Sequence, residues 1–559
     1  MREFLRSRCI PARALLVVAL FAMGSAFDAH AGKRTVCTIT VNSPDEREVF
    51  RQRLPEDEYE FVELVEHGRP DWLASACRQG VRCDVLVISG HFDSQTEFYS
   101  DRLAKRESLA VAEMERAACS DSCPGVFSQL KEVYLFGCNT MNPQPIASTS
   151  PEAERSLVRA GHTRAEAQQL AHILDQRHGE SSREHMRRIF LNVPAIYGFS
   201  GQAPLGPTAA AHLDRYFESA SPAEFGSGRA NPRLLNYFAA SSMVMAGGVT
   251  GPDPQLDYQR DVCHFVDERL SPADKLGFIH DLLQRDMAEV RMFLGRIEGV
   301  FAALTPAERQ AASYLRARDV IARDESARNR YLHFAEDADL PRTRARMIEL
   351  AGSLGWLSPE EQRAELVRMV GDLIARGTVG ASAVDLICSL NEGDRLDEER
   401  HRLNPSPLLA AKANNAAALA CLGSAEARAR VLLALTSQDD AEVEIAQVYL
   451  NHRPMTDVDE LRQAASGIVR MRGSGAQVRA LDALARHRLS DRQSLSELAR
   501  LFPATGSVEV QRAIAAVLIR ADYQAIPKPE VARLLSQNRL KSPDGADIID
   551  VLIRRLRAP

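Results

Sequence analysis

The sequence predicts an α/β region with a mostly parallel β-sheet, followed by an all-α region. Short strand-like runs alternate with amphipathic helical segments through the first half of the chain, as expected when helices cover both faces of a parallel sheet. Beyond about residue 255 the strand-like runs stop and proline-marked helix starts recur. Similar helical segments then return at nearly constant spacing, which indicates an α-solenoid.

The strand-like runs of the first half are short and bounded by turn residues. Residues 84–89 (DVLVIS) and 132–137 (EVYLFG) are mainly apolar, so we expect them to be central strands covered on both faces. The other strand-like runs are 35–41, 59–65 and 193–201. Between them, helices are predicted at 71–80, at 108–119 and in the polar insertion 151–188. Another helix should begin at Ser43, with Pro44 at its first position and Glu46 as a capping-box acid, and should end near Leu54.

The second half carries repeated helix signals. Three sites place a hydroxyl at the N-cap, proline at the first helical position and an acid two positions later, which predicts helix starts. These sites are Ser271–Asp274, Thr305–Glu308 and Ser358–Glu361. Similar segments begin at Val443, Val478 and Val510, spaced 35 and 32 residues apart. This spacing predicts paired helices in a repeat, and a helical domain without repeats remains the alternative.

The N-terminus has the pattern of a secretory signal peptide. Arginines at positions 2, 6 and 8 precede the apolar run ALLVVALFAMGSAF, and Ala29-His30-Ala31 follows as a cleavage site. We therefore expect residues 1–31 to be removed from a periplasmic or secreted protein with no stable membrane span, since no later apolar run is long enough. An uncleaved N-terminal anchor is the alternative.

The length of the chain bears on the number of domains, and its charge bears on the class of binding partner. A chain of 559 residues is too long for one core, and the change in pattern suggests domains at 32–255 and 256–559. The formal charge of -6 becomes -8 without residues 1–31. Because no cluster of Lys or Arg offsets it, the sequence lacks the electrostatic footprint of a nucleic-acid-binding protein.

Cysteine parity leaves room for a free thiol. Nine of the ten cysteines lie beyond residue 31, and disulfides are expected in an exported protein. Pairing of Cys119 with Cys123 and of Cys388 with Cys421 suits the spacing, although other connectivities remain open. An odd number leaves at least one thiol unpaired. The spacings do not match a zinc site.

Two strand-like runs end in a glycine and then a side chain that can do chemistry. The run at 84–89 leads through Gly90 to His91, and the run at 132–137 leads through Gly137 to Cys138. Ligands and catalysis gather at the carboxyl ends of parallel strands, and adjacent strands bring their ends close together. A cysteine nucleophile needs a base or ion-pair partner, so His91 and Cys138 form a candidate dyad.

These motifs resemble those of the caspase-like cysteine peptidases, including the bacterial CHAT and gingipain-type branches. The strand with Ser-Gly-His, the strand with Gly-Cys-Asn-Thr 47 residues later, and the segment VPAIYGFSGQAPLG carry the resemblance over roughly residues 33–250. It implies a caspase-like α/β/α sandwich with Cys138 as nucleophile and His91 as general acid/base. The backbone N–H groups of Cys138 and Phe92 would form the oxyanion hole. The helical half resembles HEAT-type repeats.

Substrate recognition is predicted less directly. Ser200 and Gln202 follow the third matching strand and are candidate pocket residues, although ordinary turn residues would look the same. A pocket for Arg or Lys would need a buried acid, and Asp93 is one candidate near His91. Arg187-Arg188 is a possible self-cleavage site, with a solvated helix face as the alternative. No metal or other cofactor is required, and no calcium-binding loop is recognisable.

Two functions remain open at this point. The first is an exported cysteine endopeptidase, a hydrolase whose helical repeats bind a polypeptide substrate or a protein partner. The second is a catalytically inactive caspase-like scaffold that acts as a protein-interaction protein. The reactivity of Cys138 towards a small alkylating agent, and its dependence on His91, would separate them.

Overall fold

The computed structural model describes residues 33–69, 71–101, 107–119, 124–144, 154–155, 157–158, 161–178, 181–338, 340–541 and 547–558. The predicted signal peptide and Cys123 lie outside the described residues. The chain divides into two compact units, with divisions between residues 148 and 149, 174 and 175, and 268 and 269. The first unit therefore continues beyond residue 255, where the sequence pattern suggested a boundary, and part of the polar insertion belongs to the second unit.

Among the described residues of the first unit, nine strands form two sheets. They are β1 (Arg34–Thr40), β2 (Tyr59–Glu63), β3 (Val85–Ser89), β4 (His91–Phe92), β5 (Glu97–Tyr99), β6 (Ser108–Ala110), β7 (Glu132–Phe136), β8 (Ala195–Phe199) and β9 (Met243–Ala246). The main sheet has the order β2-β1-β3-β7-β8-β9, and only β9 pairs antiparallel to its neighbour. A small antiparallel sheet contains β4, β5 and β6.

Helices follow most strands in the first half of the chain. They are α1 (Asp45–Arg53), α2 (Trp72–Arg78), α3 (Val111–Cys119), α4 (Pro124–Ser128), α5 (Arg164–His178), α6 (Ser182–Ile189), α7 (Gly206–Ser219), α8 (Pro232–Tyr237) and α9 (Gln255–Val266). Two buried clusters lie on opposite faces of the main sheet, because side chains along a strand alternate between faces. One includes Leu86, Ile88 and Leu135, and the other includes Val87 and Tyr134.

The α/β prediction is confirmed at this level, with local corrections. All five strand-like runs form strands of the main sheet. The sequence reading missed β9 and the small sheet, and it assigned residues 108–110 to a helix although they form β6. The helix predicted from Ser43 begins at Asp45 instead, and its N-cap residue, Pro44, makes no side-chain capping bond.

The second half of the chain is helical, as predicted. Its helices are α10 (Pro272–Leu283), α11 (Met287–Met292), α12 (Leu294–Ala303), α13 (Pro306–Gln310), α14 (Ala312–Ala322), α15 (Glu325–Glu336), α16 (Pro341–Leu354), α17 (Pro359–Arg376), α18 (Ala381–Leu390), α19 (Pro407–Ala410), α20 (Ala413–Cys421), α21 (Ala425–Ala434), α22 (Asp440–His452), α23 (Val458–Val469), α24 (Ser474–Leu484), α25 (Arg492–Ala504), α26 (Val508–Arg520), α27 (Lys528–Asn538) and α28 (Ile548–Arg557). Short 3-10 helices occur in both units. Those of the first unit are Pro222–Glu224 and Ala239–Ser241, and those of the second are Glu392–Asp394 and Asp397–Arg402.

The helix signals of this half are confirmed at three positions. The hydroxyls of Ser271, Thr305 and Ser358 each accept a hydrogen bond from the backbone N–H three residues later. The acid at that later position accepts from the N-cap backbone N–H in return, which completes a capping box. These contacts satisfy two backbone donors that would otherwise lack partners at each helix start.

The last helices pack in two rows. One row contains α18, α20, α22, α24, α26 and α28, each in contact with the next, and the other contains α21, α23, α25 and α27. The similar segments that begin at Val443, Val478 and Val510 lie on α22, α24 and α26. They are therefore neighbours in one row.

Disulfides connect elements within each unit. Cys388 pairs with Cys421 and joins α18 to α20, which confirms that pairing. The pairing of Cys119 with Cys123 is wrong, because Cys119 bonds to Cys263 and joins α3 to α9, two helices in contact. Cys37 pairs with Cys83, and Cys77 is also disulfide-bonded. Such bonds are typical of proteins that fold in an oxidising compartment. No helix in the described ranges has the length and apolar character of a membrane span.

Candidate active site

Cys138 and His91 each lie two residues beyond the end of a strand, and the two strands are parallel neighbours. Strands β3 and β7 pair with Ser89 opposite Phe136, and the Gly90 N–H continues the ladder by donating to the Phe136 carbonyl. The next residues along the two strands are His91 and, beyond Gly137, Cys138. The sheet therefore brings the predicted dyad residues to the same point on its carboxyl edge.

Both side chains line one cavity of about 260 Å³. The floor comes from the ends of β3 and β7, and the walls come from the loops that follow β1 and β8. Its lining residues are Asn42, Ser43, Glu46, Ser89, Gly90, His91, Asp101, Phe136, Gly137, Cys138, Ala203, Pro204, Leu205, Gly206 and Pro207. The volume is slightly below the range typical of drug-sized ligands, so it suits a single side chain.

The turn after β7 fixes Cys138. Asn139 has φ 59°, in the left-handed region that asparagine tolerates, and its N–H donates to the Gly201 carbonyl at 2.7 Å. The buried Thr140 hydroxyl donates to the Gly137 carbonyl and accepts from the Phe199 N–H, both at 3.1 Å. These bonds tie the Cys-Asn-Thr segment to the loop after β8.

The Cys138 thiol is half-buried and has a backbone donor. It is the free cysteine among the described residues, and its Sγ accepts a hydrogen bond from the Ala203 N–H at 3.4 Å. A donor aimed at sulfur stabilises a thiolate, the reactive form of cysteine. The loop after β8, which the sequence suggested only as a source of pocket side chains, thus contributes a backbone group at the sulfur.

Gly137 allows the cysteine turn to pack closely against the histidine turn. A Cβ at this position would lie 2.9 Å from the Cβ of Phe92 and 3.0 Å from the Gly90 carbonyl oxygen. Neither neighbour is the end of a flexible side chain, so a larger residue would separate the two turns. The glycine before the cysteine is therefore a packing requirement of the site.

His91 lies beside a carboxylate that also lines the cavity. Its Nε2 lies 3.4 Å from Oδ2 of Asp101, and its ring packs 5.5 Å from that of Tyr99, measured between centroids. The Asp101 side chain is two-thirds exposed, and the energy of such a surface pair is small. The contact engages Nε2 of the imidazole ring.

Phe92 is held by the core beneath the site. Its side chain is 5% exposed and packs on Phe98, with ring centroids 4.6 Å apart. The Asp93 N–H donates to the Glu97 carbonyl, and bonding positions alternate in an antiparallel pair, so the Phe92 N–H faces away from β5. Its role in an oxyanion hole, with the Cys138 N–H, stays a prediction.

The three predicted pocket residues are not brought into the cavity. Ser200 donates to the Ser242 carbonyl at 3.2 Å, and Gln202 is exposed. The Asp93 carboxylate accepts from the backbone N–H groups of Gln95, Thr96 and Glu97. Burial raises the pKa of this carboxyl, but these bonds and one from the Thr96 hydroxyl outweigh it and leave the pKa lowered. The Ser200 and Asp93 side chains are thus engaged in local hydrogen bonds.

Glu46 is the cavity residue that the sequence reading missed. The sequence predicts a capping-box role for Glu46, whereas the structure turns it inwards from the first turn of α1 and leaves it 4% exposed. Burial raises the pKa of its carboxyl from 4.5 to about 7, assisted by the charge of Asp45 and opposed by bonds from its own backbone N–H and from Ser89. Within the described structure, Oε2 has no hydrogen-bond partner.

The proposed self-cleavage site has little support from the geometry. Arg187 and Arg188 lie inside α6, and Arg188 is 1% exposed, with its guanidinium 4.9 Å from the centre of the Tyr258 ring. Cleavage between them would require this helix to unfold. In the part of the chain described, no three His, Cys, Asp or Glu side chains are grouped closely enough to hold a metal ion.

Comparison with known proteins gives little further information. No protein-family model matches the chain, and no curated protein matches it. One matching solved structure is an engineered protein from the Northeast Structural Genomics Consortium, 14% identical, covering 72% of this chain and 98% of its own. Its TM-score of 0.23 is too low for any conclusion about the fold.

Proposed function

We propose that the protein is an exported cysteine endopeptidase of the caspase-like type, with Cys138 as nucleophile and His91 as general acid/base. The observation that carries the proposal is that His91 and Cys138 each lie two residues beyond the paired ends of adjacent parallel strands, and that both line one cavity. The free thiol and its Ala203 N–H donor are further support.

The reaction would begin with attack of the Cys138 thiolate on the carbonyl carbon of a peptide bond. A C–S bond forms, and backbone N–H groups stabilise the resulting oxyanion. Collapse of this intermediate breaks the C–N bond as His91 protonates the leaving amine. His91 then removes a proton from water, which attacks the thioester and releases the acid and the cysteine.

The helical half would recruit a polypeptide substrate or a protein partner. The two rows of helices, and the position of the similar segments on alternate helices, support a HEAT-like solenoid. In such repeats the stacked helices present an extended binding surface. The disulfides support export, and residues 1–31 would be the signal peptide that directs it.

Alkylation of the native, non-reduced protein tests the dyad. We expect iodoacetamide to label one site rapidly, Cys138, as determined by intact mass and peptide mapping, and the rate to fall about tenfold or more in His91→Ala. His67→Ala is the matched control, since His67 is exposed and paired with Glu107 outside this cavity. Slow labelling that does not depend on His91 would contradict the peptidase function and favour the inactive scaffold.

A further inference from the structure

Glu46 gives the cavity beside Cys138 a buried carboxyl group. The side chain comes from α1, directly after the loop that follows β1, and it is 4% exposed. Its Oε2 has no hydrogen-bond partner among the described residues. A buried ionised carboxylate is costly unless it is paired, so this oxygen has capacity for a donor that enters the cavity.

The rest of the lining makes an anion an unfavourable ligand. Among the residues that the structure describes, the ionisable side chains lining the cavity apart from the proposed dyad are Glu46 and Asp101, with no Lys or Arg. Asp45, next to Glu46, adds further negative charge. A ligand carboxylate would meet like charges here, whereas a cation would meet opposite ones.

We propose that Glu46 is the specificity residue of this site and binds the cationic side chain, Arg or Lys, that precedes the cleaved bond of a peptide substrate. This inference rests on the peptidase function proposed above. The cavity is small and includes Cys138, so only the side chain next to the attacked carbonyl can fill it. The terminal torsion of a glutamate is broad, and a small rotation about it turns Oε2 towards the cation.

Leu205, Pro204 and Pro207 add an apolar side to the cavity. Leu205 is 72% exposed for a large hydrophobic residue, and it lies at the rim just before α7. An aliphatic stem with a charged end, as in Arg and Lys, places apolar atoms against such a surface while its head reaches a carboxylate. The chemistry of the walls therefore matches both parts of the same side chain.

The first test measures cation binding without catalysis. In Cys138→Ala protein at pH 8, titration calorimetry compares butylguanidinium with neutral butylurea, which has nearly the same shape. We expect the cation to bind about tenfold or more tightly than the urea, and Glu46→Gln to remove this preference. Glu48→Gln is the matched control, because it removes the same charge from the same helix turn outside the cavity. Equal binding of the two probes, or a preference that survives Glu46→Gln, would overturn the inference.

The second test uses the intact thiol and separates this inference from the proposed function. Peptide chloromethyl ketones ending in Arg, Lys, norleucine or Asp are reacted with each variant, and rates are divided by that variant's iodoacetamide rate. We expect the normalised rates of the Arg and Lys reagents to be about tenfold higher than those of the other two with the wild type. With Glu46→Gln this difference in rate should disappear. If the iodoacetamide reaction depends on His91 but the cationic reagents are not preferred, the role of Glu46 is refuted and the peptidase function is not. Labelling that is independent of His91, with the butylguanidinium preference intact, would refute the peptidase function and leave a cation site.

Discussion

Replacing Glu46 with glutamine should stabilise the first unit, and the gain should grow with pH. In the folded protein burial raises the pKa of this carboxyl to about 7, against an ordinary value of 4.5. Between these values the folded state holds a proton that the unfolded state has released, so raising the pH favours unfolding. The contribution of Glu46 to stability is therefore fully present below pH 4.5 and is lost as the pH rises through 7.

The size of the effect follows from the difference between the two pKa values. A difference of roughly 2.5 units corresponds to about 3 kcal/mol at pH 8, most of which appears between pH 5 and pH 8. Glutamine has nearly the same shape, stays neutral, and keeps a carbonyl oxygen that can accept from Ser89. We expect Glu46→Gln to have a free energy of unfolding close to that of the wild type at pH 5 and about 2 to 3 kcal/mol higher at pH 8.

The two tryptophans allow the first unit to be followed separately. Trp72 lies in the first unit and Trp356 in the second, so urea titrations in a Trp356→Phe background report the unfolding of the first unit by fluorescence. Glu48→Gln serves as the control, since Glu48 is partly exposed and pairs with Arg47 at the surface. A difference between Glu46→Gln and the wild type that does not change with pH, or that shrinks as pH rises, would refute the reasoning.

Three other substitutions test the packing and contacts around the site. Gly137→Ala should lower the free energy of unfolding by about 1 to 3 kcal/mol in urea titrations, because its Cβ would lie 2.9 Å from that of Phe92; an unchanged midpoint would contradict the close packing. Ala203→Pro removes the N–H that donates to Sγ of Cys138 and should slow iodoacetamide labelling about tenfold, whereas an equal rate would show that the bond has no effect on reactivity. Cys263→Ser removes a disulfide that spans 144 residues. It should lower the free energy of unfolding by about 4 kcal/mol under non-reducing conditions. An unchanged free energy of unfolding would show that this bond does not restrain the unfolded state.

The sheet was predictable from sequence because its strands are governed by local pattern. Buried parallel strands are apolar throughout, and the runs 84–89 and 132–137 show this without any tertiary information. The placement of both His91 and Cys138 at the carboxyl edge of the sheet follows from the same two runs, since the ends of the runs define that edge. What the runs do not encode is their pairing register, which the structure supplies through Ser89 and Phe136.

Contacts between distant segments were less accessible to sequence reasoning. Cys119 was matched to the nearest cysteine along the chain, but its partner is Cys263 on α9, and only the packing of α3 on α9 brings them together. The strand β9 is short and half-exposed, so its four residues give a weak alternation signal. The donor at Sγ is a backbone N–H, and its identity depends on how the loop after β8 folds rather than on a side chain.

Glu46 shows how one local rule can hide a buried residue of the cavity. At Ser271, Thr305 and Ser358 the order hydroxyl, proline, acid produces a capping box, and the same order at Ser43 predicts one. There the helix begins later, the Ser43 hydroxyl bonds to Asp45 instead, and the acid turns into the core. The warning signal available from sequence was the second acid, at position 45, which could take the capping contact.

The cost of ionising Glu46 is also the reason to expect a ligand beside it. Above pH 7 the charged carboxylate destabilises the folded protein, and a cation in the cavity would reverse this by favouring the charged form. Binding of butylguanidinium to the Cys138→Ala protein should therefore strengthen as the pH rises from 5 to 8, in parallel with the loss of stability of the unliganded protein. If affinity stayed constant while the stability changed, the ionisation of Glu46 and the binding of the cation would be separate events. Agreement of the two pH profiles would show that the same carboxylate governs both.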